Sequence, residues 1–367
     1  AILWVKDLDS QVDFVNGFTE TYGDPLGMKA SWESIVNFKN LEASERTHTI
    51  SDNAQWFEDN SPVDSRFKKE KVKGVTAKVI TAAILGGDLY PSTAIGINLP
   101  NSNWIRHIHG SKSVTIENIT EAYEKAAQGN GFNDEFVWSD TERNLMNNYL
   151  FQADNLHTDL HECLGHGSGK LLPGVDPDAL KAYSSTLEEA RADLFALYYM
   201  ADPKILELGL LPSEDAYKAA YYKYIIARWA YEHGKADNVV EFAKRDGKTY
   251  VVINDYEKLR SLFGKLLAEV QRIKSEGDYE SGKNLVEEYG VIVDQDLHNE
   301  VLARYENLHI APYKGFVNPV YTPITDENGN ITDIQISYNE GYAEQMLRYS
   351  KDYSPLPIYT SIPVVCK

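Results

Sequence analysis

Between Ser139 and Gly169 apolar residues return at helical spacing, through Leu145, Tyr149, Leu156, Leu160 and Leu164, and predict one long helix. Ser139 and Glu142 stand three apart, as in a capping box, and Gly167-Ser168-Gly169 supplies the stop. After a proline-containing loop, Ser185 and Glu188 repeat the capping spacing ahead of a second helix that runs to Met200, before Asp202-Pro203. Residues 212–310 read as predominantly helical, with Leu259, Leu262, Leu266 and Ile273 spaced for a buried face. Residues 1–60 read as helices with acidic surfaces. Val75–Leu99, in contrast, is rich in β-branched residues and broken by Gly86-Gly87 and Pro91, a strand signature. Near the end, Val320–Ile324 and Ile331–Tyr338 flank Asn328-Gly329, a tight-hairpin signal, and a last helix is expected over Glu340–Ser350.

These elements predict a helix-dominated α+β fold. Three regions follow: 1–135, a mixed α/β part contributing strands; 136–310, a helical part; and 311–367, the hairpin and C-terminal helix packing back on the first part. With 367 residues, 43% apolar and 25% charged, the chain has ordinary globular composition, which excludes collagen-like and disordered classes. Its longest apolar stretch, Val79–Leu85, is far short of the ~20 residues that cross a bilayer, so no membrane role is expected. Thirty-six Lys and Arg against 55 Asp and Glu leave a net charge of −19, a field that repels phosphate backbones. The one dense basic run, Lys68, Lys69, Lys71 and Lys73, reads as a solvated face, and no nucleic-acid partner is expected. Two cysteines, Cys163 and Cys366, are too few for a disulfide framework and favour a reducing, cytoplasmic compartment.

The chemistry concentrates in His161-Glu162-Cys163-Leu164-Gly165-His166, two imidazoles and a carboxylate within one and a half helical turns. A zinc hydrolase needs two histidine ligands on one helix face, a third protein ligand, an open position and a carboxylate that takes a proton from water. Here the histidines are five apart rather than four. On an ideal helix the fifth residue lies about 140° around the axis, against ~40° for the fourth. The spacing therefore predicts a one-residue bulge at Gly165 that re-aims His166. His157 and His161 form a rival pair four apart that needs no distortion but lacks a placed carboxylate. The second helix carries Glu188-Glu189-Ala190-Arg191-Ala192-Asp193. Glu189 is the chosen third ligand; Glu189 and Asp193 share a face, so one can hold metal while the other accepts a ring N–H, and Glu188 can serve the other histidine. Arg191 offsets part of this negative charge. Cys163 reads as packing, and Gly165–Lys170 fails as a phosphate loop because Leu164 and Leu171 stand where that motif needs glycine and a hydroxyl residue.

HECLGH followed by EEARAD resembles the paired HExxGH and EExxxD/E motifs of the dipeptidyl peptidase III family of zinc exopeptidases. The likeness extends through Gly17-Phe18-Thr19-Glu20-Thr21-Tyr22-Gly23-Asp24-Pro25 and Gly96-Ile97-Asn98-Leu99-Pro100-Asn101, and on past Pro312. It implies one zinc held by His161, His166 and Glu189, Glu162 as general base, and Glu188 and Asp193 as orienters of the histidines. It also implies that Asn98 and Asn101 hold the substrate's N-terminal end and Lys314 its far end. The resemblance implies a two-lobed fold with a β-barrel in the second lobe, in which 136–310 is the mostly helical zinc-binding catalytic lobe and 1–135 a smaller mixed, β-containing part of the second lobe with a substrate groove, and it implies that most of the family's N-terminal half is missing here. A family histidine followed four residues later by arginine should precede Ile226-Ala227-Arg228-Trp229, yet Ala216–Ile225 contains neither; a family tyrosine falls at Val15.

The resulting expectation is a zinc-dependent peptidase that releases N-terminal dipeptides from short peptides. The alternatives are a catalytically incompetent, zinc-stabilised peptide-binding fragment, or a zinc aminopeptidase or endopeptidase with another cleavage register.

Overall fold

The computed structural model describes residues 1–7, 9–20, 28, 30–72, 78–90, 93–100, 105, 108–110, 112–127, 129–224, 232–310 and 317–353. The fold is α+β and helix-rich, in two compact units: residues 1–9, 39–80 and 95–313, and residues 10–38, 81–94 and 314–367.

The first unit is organised by helices with legible ends. Helix α1 (Leu41–Asp52) starts at Asn40, whose side chain accepts from the amide of Ala43 at 3.1 Å. Helix α2 (Asp140–Leu160) starts at Ser139, whose hydroxyl accepts from the Glu142 amide and bonds the Glu142 carboxylate. Helix α3 (Ser184–Met200) has no side-chain cap; a short 3-10 turn, Lys181–Tyr183, leads into it. This corrects the expected cap at Ser185 and Glu188, because the Glu188 carboxylate is engaged elsewhere, as described below. Helix α4 (Tyr217–Tyr224) follows, and helix α5 (Tyr256–Glu276) runs from an Asp255 cap to Gly277 in the left-handed region. Their apolar faces meet in one core that includes Leu156, Leu160, Leu164, Phe195, Tyr199, Tyr221, Leu259 and Phe263. Such buried contact, rather than helix propensity, is the main support of helices this long.

Strands also belong to this unit. The first three residues of β3 (Lys78–Gly87) pair in parallel with β5 (Lys112–Ile116), and β4 (Gly96–Leu99) pairs antiparallel with β5, Gly96 opposite Thr115 and Leu99 opposite Lys112. A further hairpin, β6 (Val240–Arg245) with β7 (Lys248–Ile253), interrupts the stretch expected to be helical. Its signal was present: Asp246-Gly247, both at positive φ, make the two-residue turn that matches strand twist.

In the second unit, β1 (Val12–Glu20) pairs antiparallel with β2 (Ser31–Lys39), from Val12 opposite Phe38 to Phe18 opposite Trp32, and β2 adjoins β3. This corrects the helical reading of residues 1–60 at these two strands, whereas Ile2–Lys6, Leu41–Asp52 and Ala54–Asp59 are helical as read. The hairpin's inward positions include Asp13, Glu33 and Asn37 around Ile35, whereas Phe14 and Phe18 are 66% and 67% exposed. Polar residues inside and aromatic ones outside invert the alternation by which a half-buried strand is recognised. The amide of Asn318 clasps Leu85, accepting from its N–H at 2.8 Å and donating to its carbonyl at 2.9 Å. The expected hairpin is present as β8 (Val320–Thr325) and β9 (Ile331–Ser337), followed by a helix over Tyr342–Tyr353. Among the described residues no helix is long and apolar enough to cross a membrane.

Candidate metal centre

The helical hydrogen bonding of α2 does not continue unchanged into the HECLGH segment. His161–Gly165 forms a π turn in which the amide of His166 donates to the carbonyl of His161, five residues back, at 3.1 Å. The wider turn brings the two imidazoles onto one side, with ring centroids 4.6 Å apart and planes at 89°. Gly165 is not in the left-handed region; what it provides is space. A Cβ there would lie 2.7 Å from the Cα of Ala192 and 2.9 Å from its carbonyl oxygen, distances that packed atoms do not tolerate. The missing side chain lets α3 come close enough for its acids to reach the histidines.

Each imidazole has one nitrogen already committed. His161 Nδ1 lies 2.8 Å from Asp193 Oδ1, and His166 Nδ1 lies 2.8 Å from Glu188 Oε1. These carboxylates accept the ring N–H, which turns the Nε2 lone pairs outward. Both Nε2 atoms face Glu189 Oε2, at 3.3 Å from His161 and 3.9 Å from His166. Two lone pairs and an anionic oxygen pointed at one another repel unless a cation stands among them. Glu162 joins the cluster, one carboxylate oxygen lying within 4.8 Å of a nitrogen of each histidine, and among the described residues its carboxylate has no hydrogen-bond partner.

The surrounding charges keep the orienting acids ionised. Burial pushes the Glu188 carboxyl upward, but its hydrogen bond with His166 and the cations Arg191 and Lys274 hold it well below the usual carboxylate range. Lys274 Nζ lies 2.8 Å and Arg191 Nη2 2.5 Å from that carboxylate. Burial likewise opposes ionisation of Asp193, and the His161 hydrogen bond with the nearby imidazoles outweighs it. For His161, burial favours the neutral ring, yet the Asp193 bond and the acids Asp193, Glu162 and Glu189 raise its pKa above the ordinary value.

Beyond His166 the chain is tied down. Buried Glu58 accepts from the Lys69 amide at 2.6 Å, the Ser168 hydroxyl at 2.6 Å and the Gly169 amide at 3.0 Å. Lys69 donates to the Gly167 carbonyl, and burial lowers its pKa, so this lysine is part of the support and not of a solvated face. Arg191 bridges the Ser168 carbonyl to Glu188. Sequence reading missed Glu58, Lys69 and Lys274, because nothing in their local pattern marks them; only tertiary proximity does.

The structure thus brings together His161, Glu162, His166, Glu188, Glu189 and Asp193. Cys163, 1% exposed, faces the core. Asn98 lies in β4, its backbone opposite Ser113. Asn101 and Lys314, and the segment around Ile226-Ala227-Arg228-Trp229, lie outside the described residues.

Two imidazoles and neighbouring carboxylates within reach of one point make a group that could hold a metal ion. Peptidase family M49 matches residues 1–181. Dipeptidyl peptidase 3 of Dictyostelium discoideum is 30% identical over 262 residues, 61% of this chain and 36% of that protein. Nudix hydrolase 3 of Arabidopsis thaliana is 28% identical over 312 residues, 79% of this chain and 39% of that protein. The structure of DPP III from Caldithrix abyssi shares the fold with a TM-score of 0.70 at 23% identity, over 87% of this chain and 62% of that one. The chain therefore spans less than two thirds of the length of each of these relatives. Over residues 1–181 the chain is thus similar to peptidase family M49, and its fold is that of DPP III.

Proposed function

We propose that this chain carries a zinc peptidase centre that releases N-terminal dipeptides from short peptides in the cytoplasm. The observation that carries this reading is the commitment of both Nδ1 atoms to carboxylates, which leaves both Nε2 atoms and Glu189 facing one another as metal donors. Nitrogen and oxygen donors of this kind suit zinc, with three protein ligands and an open fourth position. His161, His166 and Glu189 would hold one ion per chain, which supplies Lewis acidity at a carbonyl and acidifies water. Glu162, beside the histidines and without a competing partner among the described residues, takes the proton from water and returns it to the leaving amine. Glu188 and Asp193 keep the rings in the tautomer that presents Nε2. The dipeptide register rests on the similarity to dipeptidyl peptidase 3 and peptidase family M49, with Asn98 and Asn101 holding the peptide's free N-terminus and Lys314 its far end.

A second reading, peptide binding without turnover, is favoured by α4, whose residues include no histidine and whose Lys223 is paired with Asp154 at 2.7 Å. Metal analysis and mass spectrometry of a short-peptide digest separate the two. Stoichiometric zinc with N-terminal dipeptides released by the wild type but not by Glu162→Gln supports the peptidase. Zinc without turnover supports the binder, single residues or internal fragments indicate another cleavage register, and absence of zinc refutes the site.

A further inference from the structure

We infer that His157 is a positioning residue of this centre, its Nε2 donating to Asp193 Oδ1 and thereby fixing the carboxylate that orients His161. The inference rests on the metal-site reading above. His157 lies one turn before His161 on α2 and is 3% exposed. Its Nε2 is buried and has no hydrogen-bond partner among the described residues. Asp193 Oδ1, which already receives His161 Nδ1, stands 3.7 Å from it. A buried polar atom left unpaired costs about 1–3 kcal/mol, so closing the last ~0.7 Å to hydrogen-bond distance is favourable.

The ring is held for this contact from behind. It stacks on Tyr224 with centroids 4.2 Å apart and planes at 24°. The Tyr224 hydroxyl lies 3.2 Å from Asp154 Oδ1, which also takes Lys223 Nζ at 2.7 Å. Burial keeps the imidazole neutral, outweighing Asp193 and Asp154, and lowers its pKa to about 4. A neutral imidazole has a single N–H to place, and Nε2, buried and without a partner among the described residues, faces the Asp193 carboxylate. Asp154, Tyr224, His157, Asp193 and His161 then form one continuous support ending at a metal ligand. The alternative use of His157, as a ligand paired with His161, is disfavoured because the Asp193 carboxylate stands between Nε2 and Nδ1 of the two rings.

The test compares zinc affinity, by competition with a chromophoric chelator, and the visible spectrum of the cobalt-substituted protein for wild type, His157→Phe and His157→Gln. Phenylalanine keeps ring and stack but removes the donor, and is expected to weaken zinc about ten-fold and shift the cobalt bands. Glutamine restores an amide donor and recovers most of both. A phenylalanine variant within two-fold of wild type with unchanged bands overturns the inference, as does equal loss in both variants. Should His157→Phe fail to fold, long-range proton–nitrogen NMR of the zinc-loaded wild type decides: a protonated Nε2 sustains the inference and a protonated Nδ1 overturns it. If wild type binds no zinc that His166→Ala abolishes, the metal-site reading itself fails and this inference falls with it.

Discussion

Replacing Gly165 by alanine places a methyl carbon 2.7 Å from the Cα, 2.8 Å from the Cβ and 2.9 Å from the carbonyl oxygen of Ala192. Two of these three atoms are backbone, so the clash is not relieved by a rotamer change; the π turn and α3 must part by about 0.8 Å to reach ordinary contact. Elsewhere in a helix, Gly→Ala stabilises by up to ~1 kcal/mol, so destabilisation here would itself identify the close approach. Overpacking of this kind costs about 1–3 kcal/mol. The displacement also reaches the chemistry, because Ala192 lies between Glu189 and Asp193. A 2.8 Å bond from His161 to Asp193 stretched by that amount is no longer a hydrogen bond, and loss of such an orienting contact weakens metal binding roughly 10–100-fold. Gly167→Ala is the matched control, since its Cβ would meet only carbonyl oxygens at 3.5 and 3.6 Å. Urea unfolding of the metal-free proteins and zinc competition titrations measure the two effects separately. If Gly165→Ala unfolds at the wild-type midpoint and binds zinc within three-fold of wild type, the claim that this glycine sets the distance between the histidines and their acids is wrong.

Glu58→Gln weakens three hydrogen bonds to a buried carboxylate that fixes Ser168 and Gly169, and is expected to destabilise by about 2–3 kcal/mol in chemical unfolding. Lys274→Met removes a cation 2.8 Å from Glu188, and a zinc titration should show affinity falling by roughly three- to ten-fold with the fold intact by circular dichroism. His157, held neutral in the fold with its pKa lowered to about 4 from an unfolded value of ~6.5, supports stability fully above pH 6.5 and loses that support as pH falls toward 4. Between pH 7.5 and 5 the metal-free wild type should therefore lose about 2 kcal/mol more than His157→Phe, read from urea midpoints at both pH values. Asn318→Ala leaves the N–H and C=O of Leu85 unpaired and should cost about 2–4 kcal/mol; an unchanged unfolding midpoint would contradict the clasp.

What the sequence revealed, and what it concealed, follows from the range over which each feature is determined. The bulge at Gly165 was legible because five-residue spacing of two histidines cannot share a helix face without it, a constraint contained in six residues. The pairing of Glu188 and Asp193 with the histidines was legible because both motifs sit on helices whose phase fixes which side chains share a face. The β1–β2 hairpin was concealed because its polar residues point inward and its aromatic ones outward, so the usual period reports the wrong environment. The Ser185 cap failed for a related reason: Glu188 had a stronger use, as acceptor for His166 and partner of Arg191 and Lys274, than capping a helix that a 3-10 turn already opens. Glu58 and Lys274 lie 108 and 108 residues from His166 in the chain, one on each side, and no periodicity carries information across such a gap. The centre is thus read in two layers. The atoms that face the proposed metal position are dictated locally by helix geometry, whereas the charges that hold those atoms still come from distant segments and become visible only once the core of α2, α3 and α5 has brought them together.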